Sequence, residues 1–214
     1  MYTLDRVSSF IKSFIEDEEG YLGRLYEDAV GRGIPVMRPE TKELLKTQLI
    51  LHKPTKLLEI GTAVGFSALY MSEHVAPGAT ITTLELSPER VKEARANIKA
   101  MGRESQIRVI EGDAAVTLKE LPSDSFDFAF VDAAKGQYIY YYPEVMRLVR
   151  SGGLIISDNI LQDGDVLESH FLVEKRNRTI HDRMREYLYT ITHDERVDTA
   201  LLSVGDGVAI SVKR

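Results

Sequence analysis

The chain contains no cysteine, which excludes disulfides, thiolate metal sites and cysteine nucleophiles. No apolar run approaches the roughly 18 residues that a membrane-spanning helix needs. The opening residues, MYTLDRVSSFIKSF, lack the layout of a secretory signal. No Pro- or Gly-rich linker, low-complexity tract or internal repeat interrupts the 214 residues. The expectation is therefore a single domain over 1–214, with an N-terminal helical cap over 1–52 and a core over 53–214. An excess of basic residues is also missing: 27 Lys and Arg face 33 Asp and Glu, for a formal net charge of −6. That balance argues against a generally basic nucleic-acid binder but leaves room for a local patch. With 28% charged and 43% hydrophobic residues, the chain reads as an ordinary cytoplasmic globular protein.

What is present has two periods. Amphipathic helical stretches are predicted at about 4–16, 21–32 and 39–52, the last two separated by the punctuated loop GRGIPVMRP. From KPTKLLEIGTAVG onward, short apolar runs recur at 56–60, 80–86, 107–112, 126–132 and 153–159. Helical stretches lie between them at about 66–75, 88–101, 114–120 and 137–149, and a long polar helix is expected at about 171–191. Strands alternating with helices give βαβ units and a doubly wound, Rossmann-like α/β fold. DTALLSV and GVAISVK, joined by GDG, read as a C-terminal antiparallel hairpin at the edge of five parallel strands.

In such sheets ligands bind beyond the carboxyl ends of the strands. Those ends carry EIGTAVGFS, Glu85, EGDAA, Asp132 with Lys135, and Asp158–Asn159. The turn after the first strand has Gly61 and Gly65 but lacks the third glycine of G-x-G-x-x-G, which weakens a dinucleotide reading. Glu85, 24 residues after Gly61, is placed to accept both hydroxyls of a ribose. Asp113 and the backbone of Ala114 are placed to meet an adenine edge. A ligand with adenine, ribose and a short charged tail, without a diphosphate, is S-adenosylmethionine. The alternatives are a tight, ligand-free connection and a solvated strand end.

Asp132, Asp158 and Asn159 together form an oxygen-only donor set, suited to Mg²⁺, Mn²⁺ or Ca²⁺ and not to zinc. Asp–Asn after a strand is equally a good turn or N-cap pair. Lys135 reads either as the cation of a structural ion pair or as a general base.

LLEIGTAVGFSALYMSE, LELSPERVKEARANI, GDAAVTLKEL, FDFAFVDAAKGQYIYYYPEVMRLVRSGGLIISDN and VGDGVAISVK resemble the cation-dependent O-methyltransferases related to catechol and caffeoyl-CoA O-methyltransferases. The resemblance spans nearly the whole chain, and DAAKGQY paired with DN is its most specific part. It implies metal binding at Asp132, Asp158 and Asn159, with Lys135 as the base beside Asp132. It implies cofactor contacts at Ser67, Glu85, Asp113 and Asp132, and at Met37, because IPVM resembles the segment closing over the methionine moiety. Within the family, IPVM, DAAKGQY, the short Gly loop ILQDGDV and THDERVDTALLSVGDGVAIS are most similar to bacterial tRNA 5-hydroxyuridine methyltransferases. The implied reaction is methylation of the 5-hydroxyl of 5-hydroxyuridine at the tRNA wobble position, giving 5-methoxyuridine. The alternative acceptor is a small catechol. The chain lacks the insertion loops with which plant members hold coenzyme A esters.

The segment 174–185, EKRNRTIHDRMR, carries a local charge of +3 on a chain that is otherwise −9. Lys175, Arg176 and Arg178 are thus candidate RNA contacts, with a solvated helix face as the competing reading. Tyr138, Tyr141 and Tyr142 fit packing of a helix onto the sheet better than base stacking. The five histidines are scattered and read as surface or loop residues, not ligands. The apolar N-terminal helices are a candidate homodimer surface.

Overall fold

The computed structural model describes residues 4–214. Three helices, α1 (Leu4–Lys12), α2 (Gly20–Gly31) and α3 (Pro39–His52), precede the sheet. The parallel strands are β1 (Lys56–Ile60), β2 (Thr80–Glu85), β3 (Ile107–Glu111), β4 (Phe126–Val131) and β5 (Val149–Ser157). Between them run α4 (Phe66–His74), α5 (Pro88–Ala100), α6 (Ala114–Glu120) and α7 (Tyr138–Leu148). Then follow α8 (Arg178–His193), β6 (Val197–Leu202) and β7 (Val208–Lys213). The strand order is β3-β2-β1-β4-β5-β7-β6. The chain order reverses between β1 and β4, which makes that point the natural ligand crevice.

The C-terminal pair is an antiparallel hairpin, as its GDG turn suggests, but β7 is inserted between β5 and β6. Only β7 runs against the other six strands. Strand β5 also begins earlier than its apolar run. Val149 pairs with Phe126, the register then shifts, and Leu154 pairs with Phe128; the intervening SGG reads as a turn in sequence and forms an irregular ladder instead. The long polar helix starts at Arg178, not near 171; residues 171–177 form turns that bury Val173 alone among Phe171, Leu172 and Val173.

Alternation along the strands divides the core. Leu57 and Leu58, adjacent in β1, are both fully buried on opposite faces of the sheet. Leu57 joins Leu22, Leu45, Phe66 and Leu69, so the N-terminal helices share a core with the sheet. Leu58 joins Leu118, Tyr138, Tyr142 and Met184 beneath α6, α7 and α8. Each such side chain contributes about 2 kcal/mol through burial. Tyr138, Tyr141 and Tyr142 are all buried, in line with the packing reading. No helix among the described residues is long and apolar enough to cross a membrane.

Asp127 is a charge in an otherwise apolar central strand, yet it is well satisfied. Its carboxylate accepts from the Thr55 and Lys56 amides and from the Thr55 hydroxyl at 2.7–3.1 Å, fixing the entry into β1. Asp127→Ala strands those donors and should destabilise the fold by about 3 kcal/mol. Urea unfolding checks this, and a loss below about 1 kcal/mol would show that the cluster contributes little.

Candidate active site

The carboxyl ends of β1, β2, β3 and β4 border a cavity of about 520 Å³. Main-chain hydrogen bonds carry the sheet order past the strand tips. Asp132 N donates to Ile60 O, Asp158 N to Val131 O, and Gly112 N to Glu85 O, at 2.9–3.0 Å. Gly61 is required at the centre. Its φ is +103°, and a Cβ there would lie 2.0 Å from the main-chain oxygen of Asp132. Met37, Gly61, Ser67, Glu85, Asp113, Ala114, Asp132, Lys135 and Asn159 all line this cavity. Asp158 stands behind the wall, fully buried.

One wall carries two carboxylates fixed by main-chain amides. The Glu85 carboxylate is held by the amides of Ala63 and Ser87, both at 2.9 Å. Asp113 caps α6 by accepting from Ala115 N at 2.9 Å. Met37 closes the opposite side, itself buried.

The opposite end holds two carboxylates on adjacent strand tips. Val131 pairs with Ser157 in the ladder, so Asp132 and Asp158 follow side by side. Asp158 Oδ1 accepts from Asn159 N at 2.8 Å and from Thr41 Oγ1 at 3.3 Å, whereas its buried Oδ2 has no partner. Burial raises the pKa of both carboxyls. The Asp132 charge raises that of Asp158 further, and Lys135 partly offsets the rise at Asp132. Asn159 adopts φ +55°, a strained left-handed turn that Asn tolerates better than most residues. An oxygen with no partner, two crowded acids and an amide oxygen suit a hard divalent cation. Tyr138 braces the pair from below, its hydroxyl lying 3.0 Å from Asp158 O and 3.2 Å from Val131 O.

Lys135 does not pair directly with these carboxylates. Its Nζ donates to Asp206 Oδ2 at 3.2 Å and lies 3.9 Å from Asp163. Asp206 is 5% exposed and also accepts from Asp163 N at 2.7 Å. In sequence Asp206 reads only as the middle of the GDG turn.

Glu59 is a second residue that reading by strand ends passes over. It is fully buried in β1, and its Oε2 accepts from Thr83 Oγ1 at 2.5 Å while Oε1 has no partner. Burial pushes its pKa up to about 8, moderated by the neighbouring hydroxyls of Ser67 and Thr83. An acid inside the apolar run LLEI was the available signal. Thr41, on α3, gave none.

The basic segment splits. Lys175 and Arg176 are exposed, and Arg176 pairs with Glu174 at 2.7 Å. Arg178 is turned inward, donating to the carbonyls of Val173 and Phe171 at 3.2 and 3.3 Å. His181 is also buried, at 2% exposure, contrary to its expected surface position: at the fourth residue of α8 it faces the loop that precedes the helix.

The raised carboxyl pKa values set a direction for stability. The folded state holds these protons more tightly than the unfolded chain, whose carboxyls titrate near 4. Stability of metal-free protein should therefore fall as pH rises from about 4 through neutrality, and for Glu59 up to about 8. Thermal unfolding in chelator at roughly pH 5 and pH 8 checks this. Mg²⁺ should restore more at the higher pH, where fewer protons compete. Asp158→Asn should be more stable than the parent in chelator at the higher pH and should not respond to Mg²⁺. A Tm in chelator that climbs over this range would contradict the burial argument.

The sequence model of a family described as "O-methyltransferase" matches residues 13–214. The caffeoyl-CoA O-methyltransferase of Stellaria longipes is 35% identical, over 79% of this chain and 73% of that protein. The catechol O-methyltransferase of Niastella koreensis is 29% identical, over 78% of this chain and 77% of its own. The SAH-bound crystal structure of a Podospora anserina methyltransferase superposes with a TM-score of 0.86 at 28% identity, covering 98% of this chain and 94% of that one. With a family match over nearly its whole length and the 35% relative beside it, the chain belongs to the O-methyltransferase family.

Proposed function

We propose that the protein moves a methyl group from S-adenosylmethionine to one of two adjacent oxygens on its acceptor, with a divalent cation held by Asp132, Asp158 and Asn159. The single observation behind this is the buried, partnerless Asp158 Oδ2 beside a second carboxylate, at one end of a cavity whose other end carries Glu85. Glu85 accepts the ribose hydroxyls, while Asp113 and Ala114 border the adenine. Ser67 lines the cavity at the methionine end. Met37 covers that moiety. A bound Mg²⁺, Mn²⁺ or Ca²⁺ would offset the two buried negative charges and favour the ionised form of a chelated hydroxyl. Thr41 and the Asn159 amide orient Asp158. Lys135, anchored by Asp206, takes the acceptor's proton.

For the acceptor we propose 5-hydroxyuridine in tRNA, at the wobble position, whose O5 and O4 form a vicinal oxygen pair. The resemblance in IPVM and ILQDGDV supports this reading, as do the exposed Lys175 and Arg176 beside Phe171 and Leu172, which are 82% and 75% exposed. Aromatic and basic side chains together are what single-stranded RNA uses. A small catechol is the second reading, favoured by the same oxygen-pair chemistry. The exposed Val7, Phe10, Ile11 and Phe14 form the apolar face on which a homodimer would pack, and sedimentation velocity on the intact chain reads that state.

Nucleoside mass spectrometry settles the acceptor. Undermodified tRNA incubated with enzyme, labelled cofactor and Mg²⁺ should gain 5-methoxyuridine, and excess chelator should abolish the gain. Parallel arms hold a free catechol and caffeoyl-CoA. Fast turnover of either with no methyl on tRNA would overturn the RNA reading, and undiminished activity in chelator would overturn the metal.

Glu85→Ala should weaken cofactor binding by at least about 2 kcal/mol, because it leaves two hydroxyls without their acceptor. Unchanged affinity by calorimetry would move the ribose elsewhere. Replacing Lys175 and Arg176 together with Ala should flatten the salt dependence of tRNA binding by roughly one log–log unit per lost phosphate contact. Turnover of a free catechol should be unaffected by that change. An unaltered tRNA salt slope would return the segment to a solvated surface.

A further inference from the structure

We infer that His170, His181 and Asp182 form a second metal site, distinct in chemistry from the oxygen site and suited to Zn²⁺. His181 lies in the first turns of α8 and is 2% exposed. Its Nε2 is 3.1 Å from the carbonyl oxygen of Glu168. A carbonyl only accepts, so Nε2 carries the proton. The other ring nitrogen, Nδ1, lies 3.0 Å from Asp182 Oδ1 and is a bare lone pair wherever the ring carries a single proton. His170 Nδ1 approaches the same oxygen at 2.8 Å. Two ring nitrogens thus converge on one carboxylate oxygen, an arrangement met either by a proton on each nitrogen or by a cation shared among the three donors.

The geometry suits a metal ion. The ligand atoms of the three residues all lie within 4.8 Å of one another. Two ligands about 2.0–2.1 Å from a tetrahedral zinc stand about 3.3 Å apart. The His181 Nε2–H bond to a backbone carbonyl is the support that fixes a metal-binding imidazole with Nδ1 free. Two imidazoles and one carboxylate are a borderline donor set, preferring zinc to Mg²⁺ or Ca²⁺, with a fourth position left for water. The neighbouring cation Arg185 is occupied by the Val166 and Glu168 carbonyls at 3.2 and 3.4 Å.

The placement gives the ion a job. His170 stands at one end of the segment 171–177 and His181–Asp182 at the other. An ion between them staples that segment, with its exposed Phe171, Leu172, Lys175 and Arg176, onto α8. This inference does not rest on the methyl-transfer reading and survives its failure.

The test is zinc retention by the full-length protein after dialysis against excess Mg²⁺, read by elemental analysis, with Co²⁺ absorption as a second readout. Wild type should hold one zinc per chain and give the intense visible bands of tetrahedral Co²⁺. Asp158→Ala should still do both, since that change touches only the oxygen site. His170→Ala, altering a partly exposed side chain, should fold and bind zinc at least about tenfold more weakly. Equal zinc in His170→Ala and wild type would overturn the site. Wild type that takes up no zinc would overturn it too, leaving His181 and Asp182 as a protonated imidazole paired with a carboxylate.

Discussion

Two like charges brought side by side organise the functional end of this molecule. The parallel ladder that pairs Val131 with Ser157 forces Asp132 and Asp158 onto neighbouring strand tips, in surroundings that raise the proton affinity of both. The surrounding groups act to hold that arrangement in place. Thr41 and the Asn159 amide reach one oxygen of Asp158 and leave the other free. Tyr138, wholly buried, ties the ends of β4 and β5 together through one hydroxyl. Gly61 lets the β1 tip approach Asp132 more closely than any side chain would permit. A fold selected for stability alone would not gather unneutralised carboxylates here, and perturbed acids in a cleft are a mark of function.

Much of this was readable in the amino-acid order, and the reasons are specific. Apolar runs such as KLLEI and FDFAFV are buried on both faces, so their length and spacing gave the sheet. Acids closing those runs gave the pocket, because in a doubly wound sheet every strand end faces one crevice. What escaped the sequence was set by tertiary contact. Asp206 looks like turn chemistry and proves to be the partner of Lys135 across 71 residues. Thr41 reaches Asp158 across 117 residues with no local signature. Gly152 and Gly153 disguised the start of β5, and the burial of His181 depends on a loop whose path follows no periodic pattern.

The cavity and the loops that follow it are built differently. The cavity wall that carries Glu85 and Asp113 is made of strand tips and helix starts, held by main-chain hydrogen bonds. Beyond Asn159, outside the cavity lining, the chain runs through the short helical turn Gln162–Leu167 and the turns before α8. Asp163 in that turn has a positive φ and still pairs with Arg38 at 2.5 Å. Recognition surfaces on loops, supported by a fixed scaffold, are how one fold serves different acceptors.

The position of β7 bears on how the molecule comes into being. It is the last strand in chain order, yet it lies inside the sheet between β5 and β6. During N-to-C synthesis, β5 must wait with Leu154, Ile155 and Ile156 along an open edge until residues 208–213 emerge. Such an edge invites pairing with other chains, so the ribosome-bound intermediate is the form most exposed to misassembly. Asp206 and Gly207, which accept from the amides of Leu161 and Ile160, arrive with the same strand. The partner of Lys135 and the loop after Asn159 are therefore fixed only when the final strand docks, later than the wall that carries Glu85.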